Sequence, residues 1–314
     1  MLPRGLLRNF AAPLETDAKN SRRTTKSVQL LMVKARAYFQ LLKFRLSLTV
    51  AFSSAIGYLL GAHEFSWSRA LLVMLGGLLV TGSANIINQV YERELDKLMT
   101  RTAQRPLPLG IISPVEAWVF CVLLGMAGLG LLAMQFNYLT AALSLLSLIL
   151  YGFIYTPLKT ISPICVAVGA IPGGLPPLIG WVAATGYIGV EAWVLFGIQF
   201  MWQFPHFWAI AWVADEDYKR AGFKMLPTPG NRDIRTAFQI MTYTLLLIPL
   251  SLLPLEFNIS GRISALVAVV AGVLFLLLTV QLMRTQSRKA ALRIMFASFL
   301  YLPIVQIALV LDKI

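Results

Sequence analysis

Asn88, Glu92 and Asp96 are spaced four residues apart in the stretch NQVYERELDKLMTRTAQRPLPLG, residues 88–110. On a helix that spacing stacks the three side chains in one column, with neighbouring Cβ atoms roughly 5–6 Å apart; Glu94 points elsewhere. The column closes a long apolar run, and the C-terminal end of a helix carries a partial negative charge that disfavours carboxylates. Carboxylates stacked there call for a cation. Oxygen ligands shared with phosphate oxygens suit Mg²⁺. Lys97, Arg101 and Arg105 follow, ahead of the helix-ending Pro106 and Pro108, and guanidinium forks match phosphate oxygens. Together these groups are what a Mg²⁺-loaded diphosphate needs. The plainer reading is a solvated loop of ordinary i,i+4 ion pairs, which prevails for charged loops in general. Spacing, helix dipole and a second acidic cluster weigh against it here.

That second cluster, Asp215, Glu216 and Asp217 with Lys219 and Arg220, closes the stretch FMWQFPHFWAIAWVADEDYKRAG at residues 200–222. Pro205 interrupts the helix ladder and frees a carbonyl near Met201. Gln203 and His206 then sit inside an apolar segment flanked by Trp202, Phe207, Trp208 and Trp212. An ionisable residue in such a segment is a functional candidate by default, and a histidine satisfied by a neighbouring helix is the equal alternative. The aromatics read first as packing or an interfacial belt. A third stretch, residues 155–186, carries Lys159 within reach of a phosphate. Its Pro172–Gly173–Gly174 and Pro176–Pro177 series predicts irregular backbone, tolerated at membrane depth where it lines a cavity. His63, alone in the stretch GAHEFSW, carries little weight as a ligand.

The elements that must position these groups follow from composition. The 314 residues are 58% hydrophobic and 13% charged, with mean hydropathy +0.72. Apolar runs of about twenty residues recur, each enough to cross a bilayer as a helix; solid rather than alternating hydrophobicity excludes a barrel. The expected fold is an all-α membrane protein of nine transmembrane helices around a central cavity, near 38–62, 69–91, 112–135, 137–156, 163–185, 188–213, 235–255, 259–284 and 289–311. A basic polar tail occupies 1–36 ahead of an intramembrane domain over 37–314. With the N-terminus in the cytoplasm, 24 of the 27 Lys and Arg fall on the cytoplasmic side, leaving Arg69, Arg262 and Lys313 outside. This asymmetry accounts for the net charge of +13 without a nucleic-acid partner. Cys121 and Cys165 sit in apolar runs and read as small core residues. Modest length and the absence of a convincing presequence favour a bacterial cytoplasmic (inner) membrane over a mitochondrial one.

These stretches resemble the UbiA-type intramembrane prenyltransferases, and among them the protoheme IX farnesyltransferase (heme O synthase) family. The matching residues are Asn88, Glu92 and Asp96, then Arg101–Thr102, Arg105–Pro106–Leu107 and Gly110. They continue with YTPLK at 155–159, PPLIGW at 176–181, WQ-x-PH at 202–206 and DY-x-x-AG-x-x-ML-P at 217–227. The likeness runs over roughly 38–305. Glu92 stands where Asp is usual, Thr160 where Arg is common and Cys165 where Asn is usual.

The resemblance implies transfer of a farnesyl group from farnesyl diphosphate to a vinyl group of haem b, with addition of water. It implies Mg²⁺ on Asn88, Glu92, Asp96 and Asp217, and a leaving diphosphate neutralised by Lys97, Arg101, Arg105, Lys159 and Arg220. Catalysis is carried by Asn88, Glu92, Asp96, Asp217 and Lys159. The acceptor pocket holds Trp202, Gln203 and His206, where His206 orients the haem, ligates its iron or steers the water. Haem A synthase or oxidase assembly factors are the implied protein partners, and membrane lipid surrounds the chain. The competing readings are a sibling prenyltransferase with a quinone-precursor acceptor, an ion-coupled transporter and a non-catalytic haem-binding subunit.

Overall fold

The structure is a computed structural model that describes residues 29, 31–227 and 232–314. Most of the tail expected over 1–36 lies outside the described residues, and its last part is already helical, over residues 31–41. Nine long helices follow among the described residues: α1 (Phe44–Gly61), α2 (Trp67–Tyr91), α3 (Pro114–Gln135), α4 (Tyr138–Ile149), α5 (Cys165–Thr185), α6 (Val190–Val213), α7 (Ile234–Leu250), α8 (Arg262–Thr285) and α9 (Arg288–Leu311). The one β feature in these residues is an isolated bridge between Ser260 and Lys313.

Eight of these, α4 counted with its continuation to Ile161 and α7 with its continuation to Glu256, are long and apolar enough to cross a membrane. The exception is α6, where Glu191, Gln199, Gln203 and His206 dilute the apolar residues. It nevertheless packs between α5, α7 and α9, so its polar groups face protein.

Local chemistry sets the helix ends. Ser113 and Glu116 form a reciprocal capping box at α3, with Pro114 in the first turn. Asn137 caps α4 through the Thr140 N–H at 2.8 Å, and Ser287 caps α9. Gly186, at φ 84°, ends α5.

The centre of the bundle is α5, buried over 78% of its apolar window, whereas α3 buries 28% and turns the rest outward. Small residues let α5 approach α1. A Cβ on Gly180 would lie 1.9 Å from the Ser54 carbonyl oxygen, and one on Gly57 would lie 1.9 Å from that of Pro177. Close backbone crossing of this kind is how helices associate where lipid removes the hydrophobic driving force between them.

The irregular backbone expected at Pro172–Pro177 is not found: α5 runs unbroken through Pro172, Pro176 and Pro177. Each proline frees the carbonyl four residues earlier, and neighbours take up two of them. Ser147 Oγ donates to the Pro172 carbonyl at 3.2 Å, opposite Pro176. Gln199 Nε2 donates to the Gly173 carbonyl at 2.8 Å, opposite Pro177. Side chains on α4 and α6 thus make good the bonds that the prolines remove. Helix α6 likewise continues through Pro205.

The fourth span is longer than expected. A π-helical turn, Leu150–Tyr155, joins α4 to the short helix Thr156–Ile161, and π turns concentrate at functional sites.

Candidate active site at one face of the bundle

Helix α2 ends at Tyr91, Glu92 caps it, and a single turn, Arg93–Asp96, carries the chain on. The Glu92 N–H donates to the Asn88 carbonyl at 3.0 Å and the Asp96 N–H to that of Glu92 at 2.7 Å. The i,i+4 column therefore survives the helix end. Asn88, Glu92 and Asp96 are all buried, and the two carboxylates can be buried as charges only with partners.

Each carboxylate has one cation. Lys159 Nζ lies 2.7 Å from Glu92 Oε1, with both side chains buried; the π turn before Thr156 brings that lysine over. It sits against the Tyr155 ring, 4.5 Å from its centroid. Arg105 Nη1 reaches both oxygens of Asp96, at 2.7 and 2.9 Å. Asn88 donates to Thr156 Oγ1 at 3.3 Å and accepts from Lys43 Nζ at 3.0 Å. Lys43 falls inside the first span expected over 38–62. Its left-handed backbone, φ 46°, breaks the chain between residues 31–41 and α1 and turns the side chain onto Asn88.

Asp217 does something other than expected. Its oxygens accept from the backbone N–H groups of Thr100 and Arg101, at 3.3 and 3.5 Å. Arg220 Nη2 pairs with Asp217 and donates to Thr100 Oγ1 at 2.8 Å. Asp217 and Arg220 thus clamp the loop after Asp96 to the end of α6. Among the described residues no three His, Cys, Asp or Glu side chains gather closely enough to hold a metal. In this structure the Asp217 oxygens meet the loop amides and Arg220 rather than Glu92 or Asp96. The physical reason is that unpaired amides of a turn are strong donors to a nearby carboxylate. Partial burial against the loop pushes the Asp217 carboxyl up, but the Thr100 and Arg101 N–H groups and Arg220 outweigh it and hold it below its ordinary value.

Lys97 also departs from expectation. It pairs with Glu94 at 2.7 Å on the exposed side, beside Arg93, because i,i+3 partners on a short helix lie closer than the buried column. Arg101 is exposed, and its guanidinium makes no ion pair among the described residues. A cavity of about 460 Å³ lies between Ile161, Pro163 and the segment that carries Asp215, Tyr218, Phe223 and Leu226.

The second candidate group sits deeper. His206 Nδ1 lies 2.7 Å from Ser298 Oγ of α9, and Trp202 Nε1 donates to the Ser298 carbonyl at 2.9 Å. The Trp202 and His206 rings stack with centroids 4.5 Å apart. Gln203 is buried and lies in the space that a Cβ on Gly173 would occupy. Trp208 turns away to pack on Phe204 and Tyr243, so it lines the α6–α7 contact rather than a chamber with Trp202. His63 is exposed.

A family profile described as the UbiA prenyltransferase family matches residues 50–302. The chain belongs to the UbiA prenyltransferase family. It is 57% identical over 280 residues to a protoheme IX farnesyltransferase of Cytophaga hutchinsonii, covering 89% of this chain and 98% of that one. A second relative of that name, from Flavobacterium johnsoniae, is 41% identical over 302 residues, covering 94% and 99%. Solved structures share the UbiA fold. A digeranylgeranylglyceryl phosphate synthase superposes with TM-score 0.73 at 22% identity, over 89% of this chain and 98% of that one. A UbiA homolog from Archaeoglobus fulgidus bound to GPP and Mg²⁺ superposes with TM-score 0.61 at 20% identity, over 87% and 99%.

Within this UbiA fold the column Asn88–Glu92–Asp96 meets Lys159 at Glu92 and Arg105 at Asp96, pairings that the i,i+4 spacing does not specify. Lys43, Thr156 and Ser298 were missed. A lone lysine at a helix start and hydroxyls inside apolar runs give no signal until another helix is set against them.

Proposed function

We propose that this protein transfers the farnesyl group of farnesyl diphosphate to a vinyl group of haem b, adding water to give haem O. The observation that carries this is the buried, cation-paired column of Asn88, Glu92 and Asp96 at the mouth of an apolar helical bundle. The relatives' name, protoheme IX farnesyltransferase, supports the choice of donor and acceptor.

The donor set suits Mg²⁺. Glu92 Oε2 has no protein partner among the described residues, so a hard cation finds a free carboxylate oxygen there beside the Asn88 amide and Asp96. Mg²⁺, when bound, neutralises charge growing on the departing diphosphate. Asn88, Glu92 and Asp96 would hold it. Lys159 and Arg105, now paired with those carboxylates, would turn to the phosphate oxygens, joined by Lys43 and by Arg101 from the clamped loop. Asp217 and Arg220 would keep that loop in place. The allylic cation that remains would lie against aromatic faces such as Tyr155, 4.5 Å from Lys159 Nζ, and Phe207 beside it. The haem vinyl group attacks it, and water captures the resulting carbocation, releasing a proton and leaving a hydroxyl group.

The excess of Lys and Arg on the loops of the active face supports a cytoplasmic-facing site in a bacterial inner membrane, with nine crossings once α6 is counted. Product handover to haem A synthase or an oxidase assembly factor fits the same reading.

Membranes containing the protein, incubated with haem b, farnesyl diphosphate and Mg²⁺, should yield a product whose mass equals haem b plus a farnesyl group plus a hydroxyl group. Asp96→Ala should abolish that product while the protein still inserts. Full activity of Asp96→Ala removes the metal-site assignment; a product from a quinone precursor and none from haem b gives the function to a sibling acceptor.

A further inference from the structure

His206 is buried, at 8% exposure, and its two ring nitrogens have different surroundings. Nδ1 meets Ser298 Oγ at 2.7 Å. The same hydroxyl stands 2.6 Å from the Met295 carbonyl oxygen. A carbonyl cannot donate, so the single Ser298 hydroxyl proton belongs to that bond. Ser298 must then accept from His206, which places the imidazole proton on Nδ1. In the neutral ring Nε2 carries the lone pair. Nε2 meets no protein donor or acceptor among the described residues, and it is not one of the sealed polar atoms of the interior.

The ring is also fixed in angle. Trp202 stacks on it at 16° between planes, and Phe299 packs edge-on with centroids 4.9 Å apart. Trp202 is itself tied to the Ser298 carbonyl, so one residue of α9 anchors both the ligand ring and the ring behind it. His206 lies eleven residues before Asp217 on α6 and its continuation, roughly 16 Å along a helix axis at 1.5 Å per residue.

We infer that Ser298 locks His206 in the Nδ1–H tautomer so that Nε2 is an axial ligand to the iron of the acceptor haem. This rests on haem b as the acceptor proposed above and gives its iron a residue. Metal-bound histidines commonly donate their other ring N–H to an oxygen, which sets the ring's direction and basicity. Here Ser298 is the positioning residue and His206 the ligand. Iron ligation leaves the vinyl edges free, which a reaction at the periphery requires.

The test uses the full chain purified in detergent and titrated with haem b, read by optical and electron-paramagnetic-resonance spectra. The wild-type protein should show a histidine-ligated haem. His206→Ala should lose that signature while remaining monodisperse, and added imidazole should restore it. Ser298→Ala should weaken haem binding by about 10–100-fold and shift the spectrum, with Ser298→Thr close to wild type. A His206→Ala spectrum identical to wild type, or a loss that imidazole does not reverse, overturns the assignment. Farnesylated product from the wild-type protein in parallel keeps the proposed reaction standing in that event. A His206-dependent haem spectrum without any farnesyl transfer would instead uphold the ligand and sink the reaction.

Discussion

Lys159→Met would strand the Glu92 carboxylate, which is 5% exposed. The charges stand 2.7 Å apart, so their attraction is about 6 kcal/mol at an effective dielectric of about 20. Desolvation of both ions offsets much of this, and breaking a buried pair from one side costs about 3–5 kcal/mol. That corresponds to a roughly 100- to 4,000-fold change in the folded-to-unfolded ratio. Glu92→Gln strands the ammonium instead and should cost a similar amount, moderated by the Tyr155 ring beside Lys159. The double variant leaves neither member of this pair as a stranded charge. It should be less destabilised than the sum of the two single changes by about 1–3 kcal/mol. Unfolding in detergent, followed by tryptophan fluorescence, gives all four corners of the cycle. All three variants should also lose farnesyl transfer, so stability recovers in the double variant and activity does not. Simple additivity of the two stabilities would refute the reasoning, because it would mean that the ions do not sense each other across the bundle.

Gly180→Ala places a Cβ against the Ser54 carbonyl and should sharply reduce the yield of folded protein. Gly130→Ala, with nothing within 4 Å of its Cβ position, should leave the yield unchanged, and equal yields would disprove the close crossing of α1 and α5. Asp217 sits below its ordinary carboxyl value because the loop N–H groups and Arg220 outweigh its desolvation. Docking of residues 97–110 should therefore be fully present above the unfolded carboxyl value of about 3.9 and fade only as pH falls through the lower folded value. Protection of that loop from proteolysis across the acid range measures this, and Asp217→Ala should expose it even at neutral pH. Chelation of divalent cations should stop farnesyl transfer and restored Mg²⁺ should recover it; unaffected turnover would leave Glu92 and Asp96 as structural ion-pair members alone.

The element boundaries were legible because a bilayer demands long apolar runs, and their periodicity needs no partner to be seen. The column Asn88–Glu92–Asp96 was legible for the same reason, since i,i+4 spacing acts within one helix and survives even where α2 gives way to a single turn. The π turn at Leu150–Tyr155 was not, because a six-residue change of hydrogen-bond register leaves no mark in hydropathy. The unbroken α5 was missed because its freed carbonyls are satisfied by Ser147 and Gln199, which stand on other helices.

The chain alone determined that it would be helical, membrane-spanning and acidic at the ends of α2 and α6, since composition and local spacing decide each of these. Only the tertiary structure decided which cation each acid would meet: Lys159 for Glu92, Arg105 for Asp96, and backbone amides for Asp217. It also decided that Ser298 would orient His206 across 92 residues of sequence. Pairings of that kind depend on which helix faces which, a choice made by the packing of small residues such as Gly57 and Gly180 and by the cost of leaving any buried polar group without a partner.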